Sequence, residues 1–341
     1  MGEICVVGAG GIGCAVGYAL RAAGVPVRFV DANPNKVAFG QRDGVRVGEC
    51  PSLPASFVSF DEWTPLPDAT ILLCTKCYDN AAVLRKLPSD ILLIPIQNGF
   101  DPQLASHGHE FEGIASFVSE CHADRPHTRI TRPGELHLGK RAIPGHRSPS
   151  ATCTVTEVLL SALRSTRLFR VVEVDTIEPV KYAKLLYNAA ISPLAAAAGI
   201  DNGQLLSVRS ARRLFFALLQ ENYRILRAAG VTLGKVGPFH PRTVAWILRR
   251  KWLAGLMARA FEPSLRGTYC SMAGEIQKGR TELDNYNGHL IRLAESTGTP
   301  CPLNRAMTDL VTRMTQDRIP STREVLDSLA DRTPQALRCV A

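Results

Sequence analysis

The chain of 341 residues has no long hydrophobic run. Its most apolar stretch, Ala189 to Ile200, contains Pro193 and falls well short of the roughly 20 apolar residues that a bilayer-crossing helix needs. A membrane partner is therefore excluded. A leader segment is also missing, because a strand-like run begins at Ile4 and leaves no room for one, so a cytoplasmic protein is expected. Ten cysteines are present but without the spacing of a disulfide framework or a metal site. Cys74-Thr75-Lys76-Cys77 is a single CxxC with no second pair, and His107-Gly108-His109 stands isolated in a polar stretch, so no metal is expected. Repeats and low-complexity tracts are absent too. The net charge of +9 lacks any recognised nucleic-acid motif. Its densest run, Arg249-Arg250-Lys251 between Trp246 and Trp252, reads as the solvated face of an amphipathic helix. A diffuse positive field suits anionic substrates and cofactors without any nucleic acid.

What is present begins at the first strand. Ile4 to Val7 runs into Gly8-Ala9-Gly10-Gly11-Ile12-Gly13 and then a helix of small residues, and a second apolar run, Val27 to Val30, ends in Asp31. This strand–turn–helix–strand–acid pattern is the one a dinucleotide requires. Gly8 permits the tight turn, Gly10 lets the backbone approach a pyrophosphate, and Gly13 lets helix and strand pack closely. The pyrophosphate then sits at the positive N-terminal end of the helix. Gly8, Ala9, Gly10, Gly11, Ile12, Gly13 and Asp31 are the predicted cofactor-binding residues of this segment.

The length suffices for two domains, and 45% hydrophobic with 21% charged residues is a globular composition. Residues 1–175 read as an α/β, Rossmann-like domain with a mostly parallel sheet covered on both faces. Further strand-like runs fall at Phe57–Phe60, Ala69–Cys74, Ile91–Ile96 and Ile114–Val118, with a pair across Thr128–Gly139 and a last strand at Leu168–Val174. Residues 141–150 read as a surface loop. Residues 176–341 read as an all-α domain, with helical spacing over 178–198, 208–229, 240–261, 282–297, 301–316 and 322–334.

Ligands of open α/β sheets bind outside the carboxyl ends of the strands. That rule gathers the glycine turn, Asp31, Thr75-Lys76 and Gln97-Asn98-Gly99 on one edge. In the helical half, Lys184, Asn188 and Ser192 recur every fourth residue and share one helix face. A lysine among apolar neighbours is costly to bury without a partner or a task; spacing alone equally allows an exposed side chain. A second polar cluster spans Ser271, Glu275, Arg280, Glu282 and Asp284 to Gly288, and periodicity alone makes it a helix cap with solvated acids.

Taken in order, Gly8–Gly13, Thr75-Lys76-Cys77-Tyr78-Asp79, Gln97-Asn98-Gly99, Lys184–Pro193 and Ser271–Gly288 resemble the ketopantoate reductase (2-dehydropantoate 2-reductase) family over most of the chain. The resemblance implies a Rossmann domain and a helical C-terminal domain that reduce a small anionic 2-oxo acid in the cleft between them, as in pantothenate biosynthesis. It implies that Lys184 is the general acid and that Glu282 binds a substrate hydroxyl. Asn188 and Ser271 would hold the substrate's polar groups, while Lys76 and Asn98 would contact cofactor and substrate.

Three features depart from the family pattern. Ser192 stands where a second asparagine is usual, and the stretch from Ser271 to Glu282 is one residue short. Asp31 replaces the arginine common in NADPH-using members; a carboxylate there accepts from ribose hydroxyls and repels a 2′-phosphate, which favours NADH and leaves NADPH, through Lys36 or Arg42, as the alternative. Reduction of another 2-oxo acid or of an imine, and a non-catalytic NAD-binding sensor, are the competing readings. A homodimer is the assembly left open.

Overall fold

The computed structural model describes residues 2–142 and 150–332. Two compact units follow one another, Met1–Ile177 and Glu178–Ala341. The first contains β1 (Ile4–Val7), α1 (Gly11–Ala22), β2 (Val27–Asp31), α2 (Pro34–Asp43), β3 (Arg46–Val47), β4 (Ser56–Ser59), β5 (Thr70–Leu73), α3 (Asn80–Leu84), β6 (Leu92–Pro95) and α4 (Pro102–Ser106). It continues with β7 (Phe111–Ala115), β8 (Val118–Cys121), β9 (His127–Arg132), β10 (Glu135–Lys140), α5 (Ser150–Ser165) and β11 (Arg170–Thr176).

Five of these strands form a wholly parallel sheet in the order β4-β2-β1-β5-β6. Alternate residues of its central strands face opposite sides and are buried on both. Ile4, Val6, Phe29, Leu72 and Ile94 join one apolar core with α1 and α5, while Cys5, Val7, Val30, Ile71, Leu73 and Leu93 join a second with Trp63 and Leu104. Phe29 and Phe57 stack with centroids 4.7 Å apart, locking β2 to β4. The remaining strands make two further three-stranded sheets, β11-β10-β7 and β3-β9-β8, each mixing parallel and antiparallel pairs. The expected single layer is thus a parallel sheet with two small companions. Strand β3 was not anticipated; two residues are too few for a period-two pattern to register. Most of the expected loop over 141–150 lies outside the described residues.

The second unit contains α6 (Glu178–Ala198), α7 (Gln204–Ser207), α8 (Arg209–Ala228), α9 (Pro241–Leu248), α10 (Lys251–Leu265), α11 (His289–Ser296), α12 (Pro302–Gln316) and α13 (Glu324–Arg332). A π-helical turn, Asp284–Gly288, leads into α11. Two helical expectations change. The span 240–261 is two helices, because Arg250 is extended (φ −114°, ψ 94°) and its guanidinium stacks on Trp246 and donates to the Trp246 carbonyl at 3.1 Å, closing α9. The span 282–297 opens with the π turn rather than with regular helix.

Helix α6 runs through the middle of this unit, packed by α7, α8, α12 and α13. Pro193 inside it has no N–H, so the carbonyl four residues earlier, at Ala189, loses its intrahelical donor. The buried amide of Asn287, in the π turn, donates to that carbonyl at 2.8 Å and to Asn304 Oδ1 at 2.9 Å. Asn304 in turn donates to Asn222 Oδ1 and Glu221 Oε1, each at 2.8 Å, and Asn222 donates to the Leu186 carbonyl of α6 at 3.0 Å. The buried Glu221 carboxylate also accepts the Leu303 and Asn304 backbone amides, satisfying the first turn of α12. Burial raises the Glu221 pKa, opposed by these hydrogen bonds.

Asn287→Ala strips the donor from two buried acceptors and is expected to cost about 2–3 kcal/mol in urea unfolding. In a Pro193→Ala background, where the helix supplies its own donor to Ala189, the same substitution should cost about 1 kcal/mol less. Identical costs in the two backgrounds would show that the proline and the asparagine are not coupled.

Candidate active site

The parallel register of the first unit brings its strand ends level. Val7 pairs with Val30 and with Leu73, and Leu73 pairs with Pro95. Gly8 leaves the edge at φ +96°, a conformation that favours glycine, and a Cβ on it would come within 2.9 Å of the Thr75 amide. A Cβ on Gly13 would overlap the Gly8 carbonyl oxygen, which is why α1 can lie so close to β1. Space beside Gly10, by contrast, is open to 4 Å. An anion can approach the backbone there, at the N-terminal end of α1. Gly11 faces Ser119 of β8, and Ile12 is half-buried against the core. The turn therefore fits the dinucleotide that its sequence suggests.

Asp31, at the end of β2, folds back onto this turn. Its Oδ2 accepts from the Ala9 amide at 2.8 Å and its Oδ1 from the Asn33 amide at 2.9 Å. Each carboxylate oxygen retains a second lone pair for a further donor. Lys36 is buried, and its ammonium donates to the Ala9 carbonyl at 3.1 Å. Both polar groups of Ala9 are thus held by side chains. Sequence reasoning missed this use of Lys36, since nothing in its spacing links it to a backbone atom in the glycine turn.

The loops after β5 and β6 are locked together by Gln97 and Asn80. Gln97 Nε2 donates to the Thr75 carbonyl at 2.8 Å and to Asn80 Oδ1 at 2.7 Å, and Asn80 Nδ2 returns a bond to Gln97 Oε1 at 3.0 Å. Asn80 also reaches Asp101 Oδ2 at 2.6 Å. This exchange fixes the half-buried Lys76, which directly precedes a 3-10 turn, Cys77–Asp79, and Asn98, whose carbonyl accepts from the Cys77 thiol at 3.2 Å. The Asn98 side-chain oxygen is buried with no hydrogen-bond partner. A buried acceptor left in that state costs about 1–3 kcal/mol, and a ligand donor would recover it. Asn80 was not anticipated; its signal was only its position at the start of a short helix.

In the second unit, α6 carries Lys184 and Asn188, both half-buried, and the buried Ser192 on one face. Desolvation pushes the Lys184 amine down to about 8, and the Glu282 carboxylate opposes that shift by favouring the charged form. Glu282 is buried, at 3% exposure, so it is not the solvated cap acid that periodicity alone suggested. Its Oε2 accepts from the Tyr286 hydroxyl at 3.3 Å, and that hydroxyl lies 3.4 Å from Ser271 Oγ. Ser271 itself is exposed. Lys184, Glu282 and Ser271, distant in sequence, are therefore brought together, with Tyr286 as the joint. Tyr286 lay within the polar cluster read from the sequence, but its role in joining Glu282 to Ser271 was not assigned.

A glycine turn shaped for a dinucleotide in one unit and a desolvated amine beside a carboxylate in the other are the parts of a nicotinamide-dependent oxidoreductase. Comparison with known proteins gives the family. Residues 4–142 match the family described as ketopantoate reductase PanE/ApbA, and residues 176–315 match the C-terminal region of the same family. The chain belongs to the ketopantoate reductase family, as NAD(P)H oxidoreductases acting on a C=O/CH–OH group. It is 26% identical over 320 residues to the 2-dehydropantoate 2-reductase of Pyrobaculum aerophilum, covering 90% of this chain and 95% of that one. A ketopantoate reductase structure from Ralstonia eutropha superposes with a TM-score of 0.71 at 23% identity, over 93% of this chain and 99% of the other. The ternary structure of D-mandelate dehydrogenase with NADH and anilino(oxo)acetate gives 0.72 at 18% identity, over 96% and 99%. Among the described residues, no helix is long and apolar enough to cross a membrane.

Gly13→Ala forces α1 away from the Gly8 carbonyl. The variant is expected to lose about 1–3 kcal/mol of stability and to bind dinucleotide at least about tenfold more weakly by calorimetric titration. Binding unchanged from the parent would show that this close approach does not shape the turn's binding surface.

Proposed function

We infer that the chain reduces a small 2-oxo acid to the 2-hydroxy acid, with 2-dehydropantoate as the first substrate to test. The observation that carries this reading is the Lys184 amine, desolvated to a pKa of about 8 and set against the buried Glu282. Bound NAD(P)H supplies the hydride to the carbonyl carbon. As the carbonyl oxygen gains charge, the Lys184 ammonium stabilises it and then gives up a proton. An amine near 8 is mostly protonated at neutral pH yet parts with its proton more readily than an ordinary lysine.

Glu282 has two tasks in this reading. Its charge keeps Lys184 protonated, and its carboxylate accepts from a hydroxyl of the substrate. Asn188, Ser192 and Ser271 bind the substrate's remaining polar groups, with Tyr286 orienting Ser271 and Glu282 together. Ser192 is shorter than the asparagine usual in the family, so this wall admits a bulkier substituent or a water. Reduction of a different 2-oxo acid is the second reading, and the D-mandelate dehydrogenase likeness places aromatic 2-oxo acids on the test panel. Asn98 and Lys76 of the first unit contact the cofactor. The unpartnered Asn98 oxygen supports that role.

NADH is the proposed cofactor. Asp31 offers acceptors where a 2′-phosphate would need cations. The two basic residues that could have served NADPH are otherwise engaged, Lys36 on the Ala9 carbonyl and Arg42 paired with Asp43 at 2.7 Å.

Lys184→Ala is expected to lower kcat/KM by about 10²–10⁴ while leaving cofactor affinity within a few-fold; unchanged turnover would sink the mechanism. The protonated amine is the active form for reduction. The rate should therefore be flat below the Lys184 pKa and fall as pH rises through about 8. With both cofactors compared, kcat/KM should favour NADH by roughly 10-fold or more, the scale of one hydrogen bond to a charged group. Asp31→Ala should erase most of that preference. A parent enzyme that favours NADPH would refute the assignment of Asp31.

A further inference from the structure

Three donors converge on one oxygen beneath the dinucleotide turn. The Ala9 carbonyl lies 3.1 Å from the Lys36 ammonium, 3.2 Å from the Cys14 thiol and 3.5 Å from the Cys121 thiol. Cys14 directly follows Gly13 in the first turn of α1 and is fully buried. Cys121 ends β8, two residues after the Ser119 that Gly11 faces, and is only half-buried. The two sulfurs share that oxygen as their acceptor, and Lys36 Nζ stands 3.9 Å from the Cys121 sulfur. No other use of these thiols emerges from the proposed mechanism.

The peptide joining Ala9 to Gly10 is planar, so its carbonyl and its N–H point in opposite directions. Holding the carbonyl inward turns the Gly10 amide the opposite way, and a Cβ on Gly10 would meet no atom within 4 Å. The two thiols and Lys36 therefore set the orientation of an amide that faces the pyrophosphate position. The thiols are also unequal. The Cys14 thiol and the nearby Lys36 charge hold the Cys121 pKa below its ordinary value, whereas burial drives Cys14 well above it. A partly exposed thiol whose ionisation a nearby cation favours, with a second sulfur on the same carbonyl oxygen, is the arrangement of a peroxide-reactive pair.

We propose that Cys121 and Cys14 form an oxidation site in which hydrogen peroxide closes a disulfide beneath the cofactor turn and weakens dinucleotide binding. The Cys121 thiolate attacks one peroxide oxygen; an S–O bond forms, the O–O bond breaks, and the departing hydroxide takes up a proton as water. The Cys14 sulfur then attacks the resulting sulfenic acid. An S–S bond forms, the S–O bond breaks, and the Cys14 proton leaves in the second water. Two thiols have given two electrons to one peroxide. Neither sulfur then carries a hydrogen for the Ala9 carbonyl, and the Ala9–Gly10 peptide is held by Lys36 alone.

The inference rests on the turn being the cofactor site, so chemistry and binding are read separately. The full-length protein is treated with hydrogen peroxide, its disulfides are mapped by peptide mass spectrometry, and its Kd for NADH is measured by calorimetry before oxidation, after it, and after dithiothreitol. The expected result is a Cys14–Cys121 link with a Kd raised about tenfold, the worth of roughly one hydrogen bond, and restored by the reductant. Cys14→Ser should leave a sulfenic acid on Cys121 that dimedone traps, and Cys121→Ser should remove the peroxide response altogether. Peroxide that links other cysteines or none would overturn the proposal, as would a mapped Cys14–Cys121 link with an unchanged Kd. Reduced protein that binds neither NADH nor NADPH would instead overturn the cofactor reading, while the map still judges the thiol pair.

Discussion

The hydrogen bond from Asn287 to the Ala189 carbonyl is the interaction on which the helical unit's arrangement turns. Pro193 makes it necessary, because a proline within a helix leaves an acceptor four residues back without a donor, and Ala189 is buried. An apolar neighbour there would leave that acceptor unsatisfied. Asn287 supplies the donor from the π turn, a segment whose extra residue per turn changes which side chains face α6. The same bond therefore pins Glu282 and Tyr286, just before and within that turn, to the helix bearing Lys184 and Asn188. Behind it, Asn304, Asn222 and Glu221 carry the constraint to α8 and α12.

Lys184 and Glu282 make sense only as a pair within that frame. A desolvated lysine with no carboxylate nearby would hold its proton less firmly still. Beside Glu282 the amine sits at about 8 rather than at its ordinary 10.5, because desolvation outweighs the pull of the carboxylate. A looser pair would let desolvation push the amine lower still, and a tighter one would raise it toward its ordinary value and hold the proton more firmly. The Tyr286 hydroxyl on Glu282 takes part of the carboxylate's capacity and so moderates its pull.

Most of the first unit was legible from the chain because its signals are local. Gly8 to Gly13 between two apolar strands dictates a turn, and buried parallel strands read as unbroken apolar runs. Even there, the partners of the Ala9 peptide were not readable: Lys36 and Cys121 arrive from an adjoining helix and another sheet. In the helical unit, the face shared by Lys184, Asn188 and Ser192 followed from spacing, whereas the burial of Glu282 did not. Periodicity reports which residues share a helix face, not what covers that face. The break between α9 and α10 was hidden for a similar reason. Every residue from Val244 to Leu253 is compatible with helix, and the decision falls to the Arg250 side chain capping the Trp246 carbonyl. Resemblance to a family reached Lys184 and Glu282 only because their order along the chain survives without their contacts.

A common economy runs through both units. In each, a backbone carbonyl close to the proposed chemistry is gripped by side chains rather than left to regular secondary structure: Ala9 by Lys36 and two thiols, Ala189 by Asn287. Such carbonyls are the places where helix and sheet geometry gives no guidance, since a glycine turn has no ladder and a proline has no N–H. Side-chain donors there turn a flexible or broken segment into a fixed one, and they make its geometry depend on the chemical state of those side chains. The two grips differ in that respect. An asparagine amide neither titrates nor oxidises, so the support behind Lys184 is permanent, whereas thiols and an amine respond to redox state and charge, which leaves the dinucleotide turn as the adjustable half of the protein.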